Sequence, residues 1–328
     1  MGEKPFREKQ IFEWICKGAE SLDKMSNLSL ALREKLKEHC SFDTLKIVAV
    51  QTSKDGTKKY LLEAPDGERV EAVFMKYEYG NSICVSTQVG CNMGCVFCAS
   101  GIGGKRRNLK AWEMLDEFCV IQRDAGERIN HIVLMGMGEP FDNYDEVKHF
   151  IDLLHDKDGI NLSLRNITVS TCGIIPGIEK YAEDFPQANL AISLHRARQE
   201  DREKLMPVAK KYKLNDLITA CKNYAEKTSN RVSFEYALIS GENDRDEDVD
   251  ALVKLLKGMP AHVNLIPLNP VTENKMTGSS REKAREFAEK LENSGLPATV
   301  RRRLGADIDA ACGQLRKNYT CENQASRL

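Results

Sequence analysis

From Ser82 onward, short apolar runs alternate with amphipathic stretches, and no other feature limits the fold of this chain so closely. Residues 82–89, 129–135, 166–171, 189–193, 231–239 and 262–266 read as strands. Residues 109–125, 144–155, 178–182, 214–227 and 247–256 read as helices between them. Such alternation implies a parallel sheet with right-handed crossovers. Six units rather than eight predict an α/β fold built on an open, partial (βα)6 barrel. In barrels of this kind functional residues collect in the loops after the strand C-termini.

Other patterns flank the barrel. Between Leu45 and Tyr77 apolar and polar residues alternate, and Asp55-Gly56 and Asp66-Gly67 are hairpin-turn signals, so a short antiparallel sheet is expected. Upstream, Phe6, Ile11, Phe12 and Ile15 fall at helical spacing, and Leu30, Leu32 and Leu36 suggest a second helix ending near His39. Downstream, a helix over 280–294 and a strand over 298–302 are expected, with a polar, frayed tail after Tyr319. The expected organisation is a helical accessory module (1–43), an antiparallel β extension (44–81), the barrel (82–270) and a C-terminal extension (271–328).

The unusual residues fall at the strand ends. Cys91-Asn92-Met93-Gly94-Cys95-Val96-Phe97-Cys98 follows the first strand, and Gly136-Met137-Gly138-Glu139-Pro140 the second. Ser170-Thr171-Cys172-Gly173 closes the third, Ser193-Leu194-His195 the fourth, and Pro267-Leu268-Asn269-Pro270 follows the sixth. Cys91, Cys95 and Cys98 could share one helix face as a buried stripe, but Gly90 and Gly94 are poor helix formers. Structural zinc needs four ligands, and only Cys84 could serve as a local fourth. An iron–sulfur cluster also usually takes four thiolates; three would leave one iron open to a substrate or cofactor. On a straight helix the outer two cysteines would lie about 10 Å apart along the axis, so a compact site requires a loop, which the glycines permit.

Composition describes an ordinary soluble protein, 41% hydrophobic and 30% charged over 328 residues, with a net charge of −1. No apolar run approaches membrane-spanning length and no signal peptide opens the chain, so a cytoplasmic protein is expected. The eleven unevenly spaced cysteines suit reduced thiols or metal ligands better than a secreted disulfide framework. Near-neutral charge leaves any RNA contact to local patches: Lys105-Arg106-Arg107, Lys210-Lys211, Arg301-Arg302-Arg303, and Lys4, Arg7, Lys9 and Lys17 of the first module. Singly, each is more often a solvated surface run. Arg301–Arg303, just before Cys312, is expected to touch phosphate. Glu71, within Val70-Glu71-Ala72-Val73-Phe74, would by pattern alone be a solvent-facing strand residue. A lone cysteine is usually a small buried hydrophobe; Cys312, among glycines and small residues, has the surroundings of a mobile, approachable thiol.

Five runs join these features: Cys84-Val85-Ser86-Thr87-Gln88-Val89-Gly90-Cys91, Met135-Gly136-Met137-Gly138-Glu139-Pro140, Ala191-Ile192-Ser193-Leu194-His195, Val263-Asn264-Leu265-Ile266-Pro267 and Asp307-Ile308-Asp309-Ala310-Ala311-Cys312-Gly313-Gln314-Leu315. With the three-cysteine loop they resemble the radical S-adenosylmethionine (SAM) superfamily. Within it they resemble the RlmN/Cfr family, and more narrowly its adenine-C2 methyltransferases of 23S ribosomal RNA and transfer RNA. Gly2-Glu3-Lys4-Pro5-Phe6-Arg7 and Lys9-Gln10-Ile11-Phe12 are similar to that family's accessory RNA-binding module. The family usually begins further upstream with an additional helix; a truncated start or a reduced module would touch RNA affinity more than chemistry.

The resemblance implies that Cys91, Cys95 and Cys98 ligate a 4Fe-4S cluster whose open iron binds SAM. It implies that Gly138, Glu139, Ser170, Ser193, Leu194, His195 and Asn269 contact SAM. Cys312 would become S-methylcysteine, Cys84 would resolve the RNA adduct through a transient disulfide, and Glu71 would accept the proton. Two SAM molecules would be used per turnover. The implied partners are 23S rRNA before full ribosome assembly, at its peptidyl transferase centre, transfer RNA at the anticodon loop, and a flavodoxin-like electron donor. No membrane partner is expected, and the chain would be a monomer. The remaining cysteines, Cys16, Cys40, Cys119, Cys172, Cys221 and Cys321, are expected to play no part in catalysis. Two alternatives stand beside this reading. A Cfr-like enzyme acting on carbon 8 of the same adenine shares the cysteine set, although Pro140 favours the carbon-2 branch, since the carbon-8 relatives tend to carry alanine there. A non-catalytic iron–sulfur or zinc RNA-binding protein would keep Cys91, Cys95 and Cys98 without needing Cys84 or Cys312.

Overall fold

The structure, a computed structural model, describes residues 2–269 and 276–315. Pro270, Cys321 and the tail after Tyr319 lie outside the described residues.

Two helices, α1 (Phe6–Cys16) and α2 (Leu30–His39), open the chain. Ser29 caps α2 by accepting from the Leu32 N–H. The pair packs around Leu22, Met25, Leu28, Leu32 and Leu36, a small core separate from the main one. It leans on the rest of the chain through a Lys9–Asp158 ion pair at 2.7 Å and an Arg123 side chain donating to the Gly18 carbonyl.

Next come β1 (Lys46–Thr52), β2 (Lys58–Glu63) and β3 (Arg69–Tyr77), paired antiparallel. Strand β4 (Gly80–Cys84) pairs antiparallel with β3 on one side and parallel with the next long strand on the other. It is therefore the hinge between the two sheet types. The expected strand over 82–89 stops at Cys84. Beyond it Val85 bonds to Val133 and then accepts from Gly136, while the Thr87 and Gln88 N–H groups turn to the Met137 carbonyl. Only Gln88–Val89 (β5) is extended again, against Arg107–Asn108 (β6).

The βα alternation then runs as α3 (Ala111–Ala125), β7 (Ile129–Leu134), α4 (Tyr144–His155), β8 (Ile167–Thr171), α5 (Ile175–Asp184), β9 (Asn189–Ser193), α6 (Gln199–Leu205) and α7 (Leu214–Thr228). It continues through β10 (Val232–Leu238), α8 (Asp246–Leu256), β11 (Ala261–Pro267), α9 (Arg281–Asn293) and β12 (Ala298–Val300). Helix α6 was not foreseen: Gln199-Glu200-Asp201-Arg202-Glu203-Lys204-Leu205 lacks an apolar stripe. One ten-stranded sheet holds β1-β2-β3-β4-β7-β8-β9-β10-β11-β12 in chain order. Its strands from β4 to β12 are all parallel. Sequential order with right-handed crossovers puts the helices on one face and curls the sheet as a barrel does. The short strand β12 adds a seventh parallel strand to the six expected, so the segment before Cys312 belongs to the same sheet. The apolar core runs continuously from Leu45 to Leu315.

Candidate active site

The loops at the C-terminal ends of the parallel strands converge on a cavity of about 150 Å³. Its walls carry Cys91, Cys95, Cys98, Gly138, Glu139, Ser170, Ser193, His195, Asn269 and Cys312. Sequence reasoning thus named most of its polar lining. Leu194 differs: its side chain is fully buried, and it backs the wall through its N–H to the Glu235 carbonyl at 3.0 Å.

Side chain-to-backbone bonds set the shape. Gly136 has no room for a side chain, since a Cβ there would lie 2.5 Å from the Val85 carbonyl oxygen. Gly138 has φ +104°, a backbone that L side chains rarely adopt. The buried Glu139 carboxylate accepts from the Phe141 and Cys172 N–H groups at 3.1 and 2.8 Å, and burial raises its pKa. His195 sits at φ +55° with Phe97 edge-on at 4.8 Å. Its Nδ1 accepts from the Ala237 N–H at 3.0 Å, so the ring proton belongs on Nε2. Burial, with Arg202 and Arg196 adding, lowers its pKa to about 3, which keeps the ring neutral.

The cysteine loop is not helical, as its glycines predicted. Burial pushes the Cys91 thiol up to about 12 and raises Cys95 and Cys98, with Cys98 acting further on Cys95. Thiols so placed are poor thiolates alone; a bound cationic core is what would hold them deprotonated. Among the described residues no three His, Cys, Asp or Glu side chains close around a single metal ion. A four-iron cube takes one thiolate on each of several irons. Three thiols from one glycine-broken loop, all lining one cavity, are a donor set that fits such a cluster with one iron left open.

A second cavity, of about 430 Å³, adjoins the first. Val73, Met75 and Tyr77 of β3 line it, with Cys84 at the end of β4. Cys312, Arg301, Asn269 and Met135 line both cavities. Cys84 and Cys312 are free thiols, the first buried and the second half-buried. Burial raises the Cys84 pKa and Cys312 adds to the rise.

The Cys312 segment is more firmly held than its small residues suggested. Asp307 accepts from Ser53 Oγ and the Lys54 N–H of the β1–β2 hairpin, at 2.5 and 3.3 Å. The Gly305 N–H donates to Asp55 at 2.9 Å. Beyond Cys312, the Gly313 and Leu315 carbonyls accept from the Ala99 N–H and Ser100 Oγ, both at 2.8 Å. Asn269 Nδ2 donates to the Cys312 carbonyl at 3.2 Å.

Two expectations from pattern alone are corrected. Glu71 is not solvent-facing but 1% exposed, because β3 is an interior strand, and it pairs with buried Lys59 of β2 at 3.3 Å. Its side chain is not among those lining either cavity. Arg301 points inward, 3.6 Å from Glu235. Its pKa is raised by Cys312 first and then Glu235, against the cost of burial. Only Arg302 and Arg303 of that run are exposed. Lys105, Arg106 and Arg107 are paired with Asp142, Glu68 and Glu113. Sequence reasoning missed Lys59 and Arg301 as inward groups. Lys59 shares its strand face with Leu61, a period-2 signal that was available; Arg301 offered none.

Comparison with known proteins places this geometry. The radical SAM superfamily matches residues 85–256, and the N-terminal domain of ribosomal RNA large subunit methyltransferases matches residues 1–42. A probable dual-specificity RNA methyltransferase RlmN of Desulforamulus reducens is 50% identical over 98% of this chain and 93% of its own length. One of Alkaliphilus oremlandii is 51% identical over 97% and 93%. The chain belongs to the RlmN family. A radical SAM methyltransferase crystal structure from Sphaerobacter thermophilus superposes with a TM-score of 0.92 at 42% identity, covering 95% of this chain and 93% of that one. As an RlmN-family radical SAM RNA methyltransferase, the protein works with a 4Fe-4S cluster and SAM. No helix among the described residues is long and apolar enough to cross a membrane.

Proposed function

We propose that this enzyme methylates carbon 2 of an adenine in 23S rRNA, at the peptidyl transferase centre before full ribosome assembly, and of an adenine in the transfer RNA anticodon loop. The observation that carries this reading is Cys312, which lines both the cavity of the cysteine loop and the cavity that holds Cys84. Carbon 2 of adenine is electron-poor and cannot attack a methyl cation equivalent, so ordinary displacement fails. The cluster and SAM, when bound, supply the methyl group and the one-electron chemistry that gets round this.

The residues of the chain divide the work. Cys91, Cys95 and Cys98 hold the cluster. Gly138, Glu139, Ser170, Ser193, Leu194, His195 and Asn269 seat SAM, with the neutral His195 ring offering its Nε2 proton. Cys312 takes a methyl group as a thiolate and presents that carbon to the base. Glu71, ion-paired with Lys59 and outside the lining of both cavities, would receive the proton lost from the adenine by way of a group that lines them. Cys84, as a thiolate, then attacks the Cys312 sulfur: an S–S bond forms, the S–C bond breaks with its electron pair left on carbon, and that carbon takes a proton to become the methyl group as the base leaves. A thiol reductant reopens the disulfide. The adenine must leave its stack to enter, which costs least in single-stranded or loop RNA.

In this reading residues 1–43 help hold RNA beside the β extension (44–81), residues 82–270 carry the cluster and SAM, and residues 271–328 carry the methyl-accepting thiol. The enzyme is a cytoplasmic monomer served by a flavodoxin-like electron donor. The test is anaerobic turnover on rRNA and transfer RNA fragments with SAM and reductant, followed by nucleoside mass spectrometry. We expect 2-methyladenosine from both; 8-methyladenosine, or no methylated adenine with an intact cluster, would overturn the assignment.

A further inference from the structure

Arg202 is fully buried, yet no carboxylate among the described residues pairs with it. It lies on α6, directly behind the cysteine loop, where the Val96 N–H donates to the Leu205 carbonyl at 3.0 Å. Its Nε donates to the Leu194 carbonyl at 3.2 Å, and its Nη2 to the Cys172 and Ser193 carbonyls at 2.6 and 3.1 Å. Nη1 is buried without a hydrogen-bond partner. Carbonyl dipoles alone compensate a buried guanidinium incompletely. Isolated buried cations are rare for that reason, and among the described residues no side chain supplies the anion that would balance this one.

The groups facing it narrow the choice. Cys172, Cys95 and Cys221 are the titratable side chains around Arg202, and burial raises the Cys172 and Cys221 thiols so that neither supplies the missing charge. Cys172 and Leu205 pack in one apolar cluster with Cys95, Met93 and Phe97 of the loop. Three thiolates around a 4Fe-4S core give a net negative charge, which grows by one unit on reduction. We propose that Arg202 is a positioning residue that serves as the buried counter-cation of the cluster, favouring its reduced form. This rests on Cys91, Cys95 and Cys98 being the cluster ligands. A cation in a low-dielectric surround stabilises the added electron more than one in water would.

A merely structural Arg202 would act through its fork of hydrogen bonds to the ends of β8 and β9. Arg202→Lys keeps the charge and loses the fork; Arg202→Gln loses the charge. Holoenzyme of each variant and of wild type is prepared anaerobically, its iron counted, and the cluster titrated reductively by electron paramagnetic resonance. Arg202→Gln is expected to lower the equilibrium constant for reduction about ten-fold, equivalent to about 59 mV for one electron. Arg202→Lys should stay within about two-fold of wild type, a separation that a role through charge alone requires. An unchanged constant in Arg202→Gln overturns the proposal. So does equal damage in both variants, including equal loss of iron, because the fork would then be what matters. Loss of iron in Arg202→Gln alone supports it. If wild type itself shows no cluster signal that Cys95→Ala removes, the ligand assignment fails instead.

Discussion

The two cavities that meet at Cys312 are built from different material. The inner one is made of loops at the ends of parallel strands, tied down by bonds such as those from the Phe141 and Cys172 N–H groups to Glu139. The outer one is walled by an antiparallel strand, β3, and by a C-terminal segment pinned to the β1–β2 hairpin. The superfamily match over residues 85–256 contains Cys91, Cys95, Cys98, Gly138, Glu139, Ser170, Ser193 and His195. It stops short of Asn269, Arg301 and Cys312, and begins one residue after Cys84. The inner cavity thus lies largely within the superfamily match, and the outer cavity is walled mainly by residues outside it. In the proposed reaction, one thiol shared between the two cavities would remove the need for a long journey of Cys312 from cofactor to base.

That division can be broken most sharply at the inner cavity. Cys95→Ala should remove the cluster and reduce turnover by more than about a thousand-fold, about 4 kcal/mol of barrier, while thermal unfolding of the protein shifts little. Iron analysis and nucleoside analysis on the same preparation check this. A variant that kept its iron and its activity would remove Cys95 from the ligand set.

The outer cavity should fail differently. Cys312→Ala and Cys84→Ala are both expected to keep iron at the wild-type level, and both should lose multiple turnover. They part in what accumulates. Cys312→Ala should carry no methyl group on protein or RNA. Cys84→Ala should accept the methyl group and then stop with RNA covalently attached, at no more than one RNA per chain. Denaturing electrophoresis with labelled RNA reads the difference. An adduct in Cys312→Ala, or none in Cys84→Ala, would exchange or dissolve the roles proposed for them.

The same contrast governs what was legible beforehand. Alternation of apolar runs placed the long parallel strands and the loops at their ends, because a doubly buried strand must be apolar along its length. Cys91, Cys95, Cys98, Glu139 and His195 were found for that reason: they interrupt the pattern where function collects. The outer cavity left weaker traces. Glu71 is a charged residue in a strand whose burial follows from strand order, which no local pattern records, and its partner Lys59 left only a period-2 match with Leu61. Arg301 looks like one member of a solvated arginine run, yet only its neighbours face water. Arg202 hides among Asp201, Glu203 and Lys204 on a helix whose apolar signal is too short to read. In each case long-range packing decides which way a charged side chain points.

The smallest effect expected lies outside both cavities and tests whether the β extension is docked by a titrating group. Asp116 of α3 accepts from the Leu45 N–H where the chain enters β1. Burial pushes its pKa up to about 6, against the pull of that N–H and of Arg123. A value raised above the ordinary carboxylate range means that the folded chain binds this proton more tightly than the unfolded one. The stability it gives is complete below about pH 4 and is lost as pH rises through about 6, by about 2–3 kcal/mol in all. Asp116→Asn keeps an oxygen for Leu45 and cannot titrate, so it should be the more stable chain at pH 7 and should lose that advantage at pH 4. Urea unfolding of both proteins across that range measures the gap. Parallel stability curves would mean that Asp116 titrates alike in both states and that the entry to β1 is held by packing alone.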